Sequence, residues 1–217
     1  MPQLLTSYLK KLKASWLERN IPNISEENAE YIKWLIQERK PKHILEIGTA
    51  NGYSTLQFAS VFLNSPDSKA PTLQPTITTI EHAWNAHNEA VEHFRNCKIK
   101  NIHAIWWDAK DVLPTLADDY FDFVFIDAMK REYLNYLLLS SPKMTANALI
   151  VIDDVEKFRD KMENLYEYLD SHHIDYKIVK TDIDDSIIIL ERKISLNENY
   201  SHYSPCISPQ FPYTQEQ

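Results

Sequence analysis

Glycine is nearly absent. The chain of 217 residues carries two, where average usage of about 7% would give roughly 15. Both sit in one stretch, ILEIGTANGYST (44–55), as Gly48 and Gly52. Cysteine is as scarce: Cys97 and Cys206 lie far apart and in no CxxC spacing. That argues against a disulfide scaffold and a zinc ribbon, and it fits a reduced, cytoplasmic setting. Positive charge is in deficit, with 23 lysines and arginines against 31 acids and a net charge of −8. Domains that hold duplex nucleic acid are usually basic, so bulk binding of that kind is disfavoured. No apolar run approaches the roughly 18 residues of a membrane span, so no membrane partner is expected. The opening MPQLLTSYLKKLKASWLERN lacks the apolar core and cleavage site of a secretory signal. It also has no arginine before Arg19 to suit a mitochondrial presequence.

What remains is ordinary globular material, 44% hydrophobic and 25% charged. Leu4, Leu5, Tyr8, Leu9, Leu12, Trp16 and Leu17 recur at helical spacing. Pro22 breaks that helix. Ser25 followed by Glu26 and Glu27 starts a second, which runs to about Arg39 and ends before Pro41. An alternating order then sets in. Short buried-strand runs fall at 43–47, 76–81, 102–107, 121–126 and 148–152. Helical patterns follow them at 53–63, 84–96, 111–116, 131–139 and 157–172. Segments 176–179 and 186–190 read as a closing hairpin, and 64–75 as a Pro- and Ser-rich surface loop. The reading divides the chain into N-terminal helices (1–40), one α/β domain (41–192) and a polar tail (193–217), an arm or disordered. Repeated strand–helix alternation implies a doubly wound parallel sheet with helices on both faces. Ligands of such sheets bind beyond the carboxyl ends of the strands.

The residues at those ends are therefore the candidates. Gly48 and Gly52 flank Thr49, Ala50 and Asn51 before Tyr53 and Ser54 open a helix. Glycine there admits positive φ and close approach of a ligand, and the helix start offers free N–H groups. Ala50 breaks the GxGxxG pattern of dinucleotide enzymes. Glu81 ends the second strand, where an acid serves ribose hydroxyls or a helix start. Asp108-Ala109 follow the third, to serve an adenine edge or to cap the next helix. Asp127, with Lys130 three residues on, follows the fourth, and Asp153-Asp154 follow the fifth. If the fourth and fifth strands are neighbours, three carboxylates converge and repel unless protonated or bound to a cation. All-oxygen donors suit magnesium, manganese or calcium rather than zinc. An ordinary Lys130–Asp127 ion pair is the plainer alternative.

With these segments in hand, the sequence resembles the metal-dependent class I O-methyltransferases of the catechol and caffeoyl-CoA type over roughly residues 20–192. ILEIGTANGYSTLQFA, ITTIEHAW, WWDAKDVLPTL, FDFVFIDAMKREYLNYL and ALIVIDDV carry the likeness. It implies S-adenosylmethionine as methyl donor and a Rossmann-like sheet of seven strands with an antiparallel last strand. Ile24, Glu46, Gly48, Thr49, Gly52 and Ser54 would hold the methionine end of the cofactor. Glu81 would hold the ribose, and Asp108-Ala109 the adenine. Asp127 would serve cofactor and metal, with Asp153 and Asp154 completing a magnesium (or manganese or calcium) site. Lys130 would be the catalytic base. One departure is Asp154, where the family usually has asparagine.

The chemistry expected is deprotonation of a metal-bound hydroxyl by Lys130, on a small acceptor with vicinal oxygens. Acceptor-lining residues are expected at 156–160, at 182–185 and in the N-terminal arm. A homodimer is suggested by the apolar N-terminal helix. Bacterial relatives of this type methylate tRNA 5-hydroxyuridine, so tRNA is an alternative partner. Lys10, Lys11, Lys13, Arg19, Arg39, Lys40 and Lys42 would then face the phosphates. A catalytically silent cofactor-binding protein is the third reading, favoured by Asp154 alone.

Overall fold

The computed structural model describes residues 2–19, 23–63, 75–183 and 185–192. Almost all of the 64–75 loop and the 193–217 tail lie outside the described residues. Helices α1 (Pro2–Arg19) and α2 (Glu26–Arg39) precede strand β1 (His43–Ile47). Then follow α3 (Tyr53–Leu63), β2 (Thr76–Glu81), α4 (Trp84–Asn96), β3 (Ile102–Trp106), α5 (Ala109–Val112) and β4 (Phe121–Ile126). The chain continues through α6 (Tyr133–Ser140), β5 (Met144–Ile152), α7 (Glu163–Ser171), β6 (Tyr176–Val179) and β7 (Ile187–Glu191).

The strands form one seven-stranded sheet in the order β3-β2-β1-β4-β5-β7-β6. β1 to β5 pair in parallel, and β7 runs antiparallel to both β5 and β6. The sheet is therefore the doubly wound, seven-stranded form that the alternation and the resemblance imply. Strand order reverses between β1 and β4, which opens a crevice beyond their carboxyl ends.

Successive strand residues feed opposite cores, as period-two geometry requires. Ile44, Phe123 and Leu149 face the layer of α1 to α4, whereas Leu45, Val124 and Ile150 face α5 to α7. Leu5, Leu9 and Leu12 of α1 are buried in the first layer, and α1 and α2 both pack on α3. Those three leucines of the apolar face of α1 are thus buried inside their own chain. Ser25 caps α2, its hydroxyl accepting from Asn28 N at 3.1 Å. No helix among the described residues is long and apolar enough to cross a membrane.

Three elements differ from the expectation, each for a local reason. α5 begins at Ala109, not 111, because the Asp108 carboxylate caps it by accepting from Lys110 N at 2.9 Å. It then tightens to a 3-10 turn at Leu113–Thr115, where Pro114 has no N–H to give. β5 reaches back to Met144, which pairs with Phe121 across an irregular register. α7 starts at Glu163, six residues later than its periodicity implies. The amides of Glu156 and Lys157 are held instead by Asp185 Oδ1, at 3.0 and 3.2 Å, so the chain turns there before it coils.

Candidate active site

Each strand hands its last backbone bond to a neighbour, which sets the following residues on one rim. Gly48 N bonds Ile80 O, Asp127 N bonds Ile47 O, and Asp153 N bonds Ile126 O, at 2.9 to 3.0 Å. Gly48 (φ +100°) is pressed against the next loop: a Cβ there would lie 2.0 Å from the Asp127 carbonyl oxygen. Gly52 (φ +82°) is closed by the Phe94 ring, 2.6 Å from the same hypothetical atom. Both glycines are thus demanded by the protein's own packing. Gly48 also lines the cleft at this rim.

That cleft has a volume of about 350 Å³. Of the residues assigned to the cofactor, Gly48, Glu81, Asp108, Ala109 and Asp127 line it. Ile24, Glu46, Thr49, Gly52 and Ser54 are not among its lining residues. Glu46 is fully buried and accepts from Ser54 Oγ at 2.6 Å and from Thr55 Oγ1. Burial pushes its carboxyl up to about 7, against the pull of those hydroxyls. Thr49 Oγ1 meets Thr79 Oγ1 at 2.5 Å, and Ile24 is buried in the core layer of α1 to α4. Glu81 already accepts from the amides of Ala50 and Ala83, at 2.9 and 2.8 Å, which fixes its carboxylate toward the cleft. Asp108 is both cap and cleft wall. His82, Trp107, Met129 and Tyr136 also line the cleft, and sequence reasoning did not single them out.

The charged group lies at the edge of the same cleft, where Asp127 belongs to both. β4 and β5 are neighbours, so Asp127, Asp153 and Asp154 do come together. What stands among them is Lys130. Its ammonium is 2.7 Å from Asp127 Oδ1, 2.7 Å from Asp154 Oδ2 and 2.6 Å from the hydroxyl of Tyr133. Burial alone would lower the Lys130 pKa, but Asp127 and Asp154 outweigh it and hold the group above its ordinary range. As placed, Lys130 is held as a cation between two carboxylates.

Asp153 is buried, and its Oδ1 accepts from Asn28 Nδ2 at 2.7 Å. A carboxylate only accepts, so the amide end of Asn28 is fixed. Its oxygen then receives the Thr181 hydroxyl. Burial, then the charges of Asp127 and Asp154, push the Asp153 carboxyl well above the usual range. Asp154, held at φ 59°, is kept low by Lys130 against the effect of burial. Among the described residues no group of three acids, histidines or cysteines is placed to share a metal ion. The donors are of the right chemical kind for a hard cation. Two of the three, however, are engaged by an ammonium and the third by an amide, and as arranged they do not fit one.

Tyr133 lay within a motif already noted, three residues after Lys130. Asn28 and Thr181 carry no local signal, being 125 and 28 residues from Asp153 in sequence. Phe158, in the segment expected to line the acceptor, has its ring centroid 5.7 Å from Lys130 Nζ.

Comparison with known proteins agrees with this fold. The family model described as O-methyltransferase matches residues 3–187. A catechol O-methyltransferase of Mycobacterium tuberculosis is 27% identical over 133 residues, 61% of this chain and 56% of that protein. A probable caffeoyl-CoA O-methyltransferase 1 of Dictyostelium discoideum is 30% identical over 144 residues, 64% of this chain and 59% of that protein. The chain thus spans less than two thirds of the length of the curated relatives it matches. Among solved structures, an O-methyltransferase from Bacillus cereus in complex with SAH superposes with a TM-score of 0.73 at 21% identity, covering 86% of this chain and 91% of that one. That likeness speaks for the fold.

Proposed function

The chain belongs to the O-methyltransferase family, and from that premise we propose that it moves the methyl group of S-adenosylmethionine to a hydroxyl oxygen of a small, catechol-like acceptor. The observation that carries the reading is that Asp127 joins two features. It lines the crevice at the strand reversal, and it grips the Lys130 ammonium at the crevice edge.

S-adenosylmethionine, when bound, supplies a methyl on a positively charged sulfur. Glu81 suits the ribose hydroxyls, because its carboxylate faces the cleft and keeps free lone pairs after two amide bonds. Asp108 and Ala109 bound the adenine end, and Gly48 with the loop after β1 bounds the methionine end. In the transfer, a lone pair of the acceptor oxygen forms the new O–C bond. The C–S bond breaks with its pair going to sulfur, and the hydroxyl proton passes to water. A phenol ionises near pH 10, so an oxyanion at neutral pH needs a fixed positive charge beside it. Lys130 provides that charge. Asp127, Asp154 and Tyr133 aim it.

The test is incubation with labelled S-adenosylmethionine and either a catechol panel or undermodified bulk tRNA. Label on the catechols is the expected result. Label on tRNA alone would replace the acceptor class, and label on neither would leave a cofactor-binding protein. The cations that would face tRNA are partly spent within the chain: Lys13 pairs with Glu26, Arg19 with Glu89 and Arg39 with Glu191.

A further inference from the structure

We propose that the Lys130 ammonium is itself the cation of this site, and that methyl transfer here runs without a divalent metal. The inference rests on the transfer reaction proposed above, but it concerns what replaces the metal that the family resemblance implies.

The argument begins with donors and acceptors. A lysine ammonium has three N–H bonds. Asp127, Asp154 and Tyr133 supply three acceptors at 2.6 to 2.7 Å. The lysine side chain is 14% exposed, so water is not needed to complete the set. A divalent ion taking Asp127 and Asp154 would have to expel this ammonium and then leave it charged nearby.

The cause is one atom type at one position. Asparagine at 154, usual in the resembling family, would give the ammonium a neutral amide oxygen, and Asp127 alone would hold its charge. Aspartate adds a second full charge. Two carboxylates around one ammonium form a closed set, and the extra acid that should have strengthened a metal site recruits lysine in its place.

A consequence for the acceptor follows. A metal selects vicinal oxygens because it binds both, whereas an ammonium with its three N–H bonds already taken acts on one nearby oxygen through its charge alone. The acceptor then needs a single ionisable hydroxyl, and its neighbour is optional. The atoms balance as in the transfer above: the O–C bond forms, the C–S bond breaks toward sulfur, and the proton goes to water.

The experiment uses the full chain and two measurements. Free Mn2+ is followed by electron paramagnetic resonance during titration of the wild type and of Asp154→Asn. Label transfer from S-adenosylmethionine to 3,4-dihydroxybenzaldehyde and to 4-hydroxybenzaldehyde is measured with magnesium and with chelator. Asparagine tolerates the left-handed backbone of position 154 (φ 59°), so the variant keeps its fold, checked by its melting curve. The wild type should leave Mn2+ free, turn over equally with chelator, and accept both aldehydes. Asp154→Asn should bind Mn2+ and lose about tenfold or more of its turnover in chelator, as one hydrogen bond of the ammonium loses its charged acceptor. Stoichiometric Mn2+ binding by the wild type, or turnover abolished by chelator, overturns the proposal. A variant that gains no Mn2+ overturns the role given to Asp154. If neither aldehyde is labelled, the transfer reading fails on its own, while the Mn2+ titration still decides whether lysine holds the site.

Discussion

Replacing Gly48 with alanine tests whether the glycine is required by the protein or by its ligand. The backbone there has φ +100°, and the new Cβ would lie 2.0 Å from the Asp127 carbonyl oxygen and 2.7 Å from its carbon. Strain of a side chain in that region costs about 1–3 kcal/mol. Overpacking against backbone adds about 1–3 kcal/mol, because a main-chain carbonyl cannot turn aside as a side chain can. The Asp127 amide is tied to Ile47 O at 2.9 Å, so relief would have to come from sliding β4 against β1. For a domain of this size each kcal/mol is worth roughly 2–4 °C, and a fall of about 10 °C in Tm is expected. Gly52→Ala is the control. Its φ of +82° carries similar strain, but its clash is with the Phe94 ring, a side chain that can turn. The assay is differential scanning fluorimetry together with calorimetric binding of S-adenosylhomocysteine. Gly48→Ala should lower both Tm and affinity, because it displaces the loop bearing Asp127. Gly52→Ala should lower Tm less and leave affinity near wild type. A Gly48→Ala protein as stable as wild type, or one more stable than Gly52→Ala, would refute the packing argument.

Other perturbations separate the remaining roles. Glu46 holds its proton up to about pH 7 when folded, against an ordinary value of 4.5. Its contribution therefore falls as pH rises from 4.5 toward 7, and is fully lost above that, by about 3 kcal/mol. Glu46→Gln should flatten that part of the stability–pH curve in urea unfolding, and an unchanged slope would refute the burial argument. Ser25→Ala removes the cap of α2 and should cost about 1 kcal/mol, read as a small drop in urea midpoint with unchanged m. Tyr133→Phe takes away the third acceptor of the Lys130 ammonium. It should lower kcat by roughly tenfold while leaving the KM for S-adenosylmethionine in place. A rise in that KM with kcat intact would place Tyr133 in cofactor binding instead.

The strands were legible because each is a short apolar run closed by a residue that cannot continue it. HILEI, TITTIE and FDFVFI have the bounds of β1, β2 and β4. Parallel topology puts their carboxyl ends on one rim, and the meeting of the acids hung on the fourth and fifth strands being neighbours, which they are. The start of α7 was not legible. Phe158 and Met162 keep helical spacing, but Asp185, from the far side of β6, takes the amides that a helix there would need. Periodicity records which face is apolar and is blind to a distant carboxylate that competes for the backbone.

The same blindness shaped the reading of the acids. Three converging carboxylates form a charge problem, and a divalent ion is one solution. Sequence spacing shows the charges but not the donors that reach them from elsewhere. Lys130 was visible, three residues from Asp127, and was weighed as a base or as the partner of that one acid. Its second carboxylate comes from another strand, and its third acceptor from the helix below. The amide that quiets Asp153 lies 125 residues away. Once those donors are counted, Asp154 changes meaning. As a metal ligand it is a surplus charge; as a lysine acceptor it is the residue that makes the set complete. Aspartate in place of asparagine therefore argues for a different cation at the site, a bound side chain in place of a bound ion.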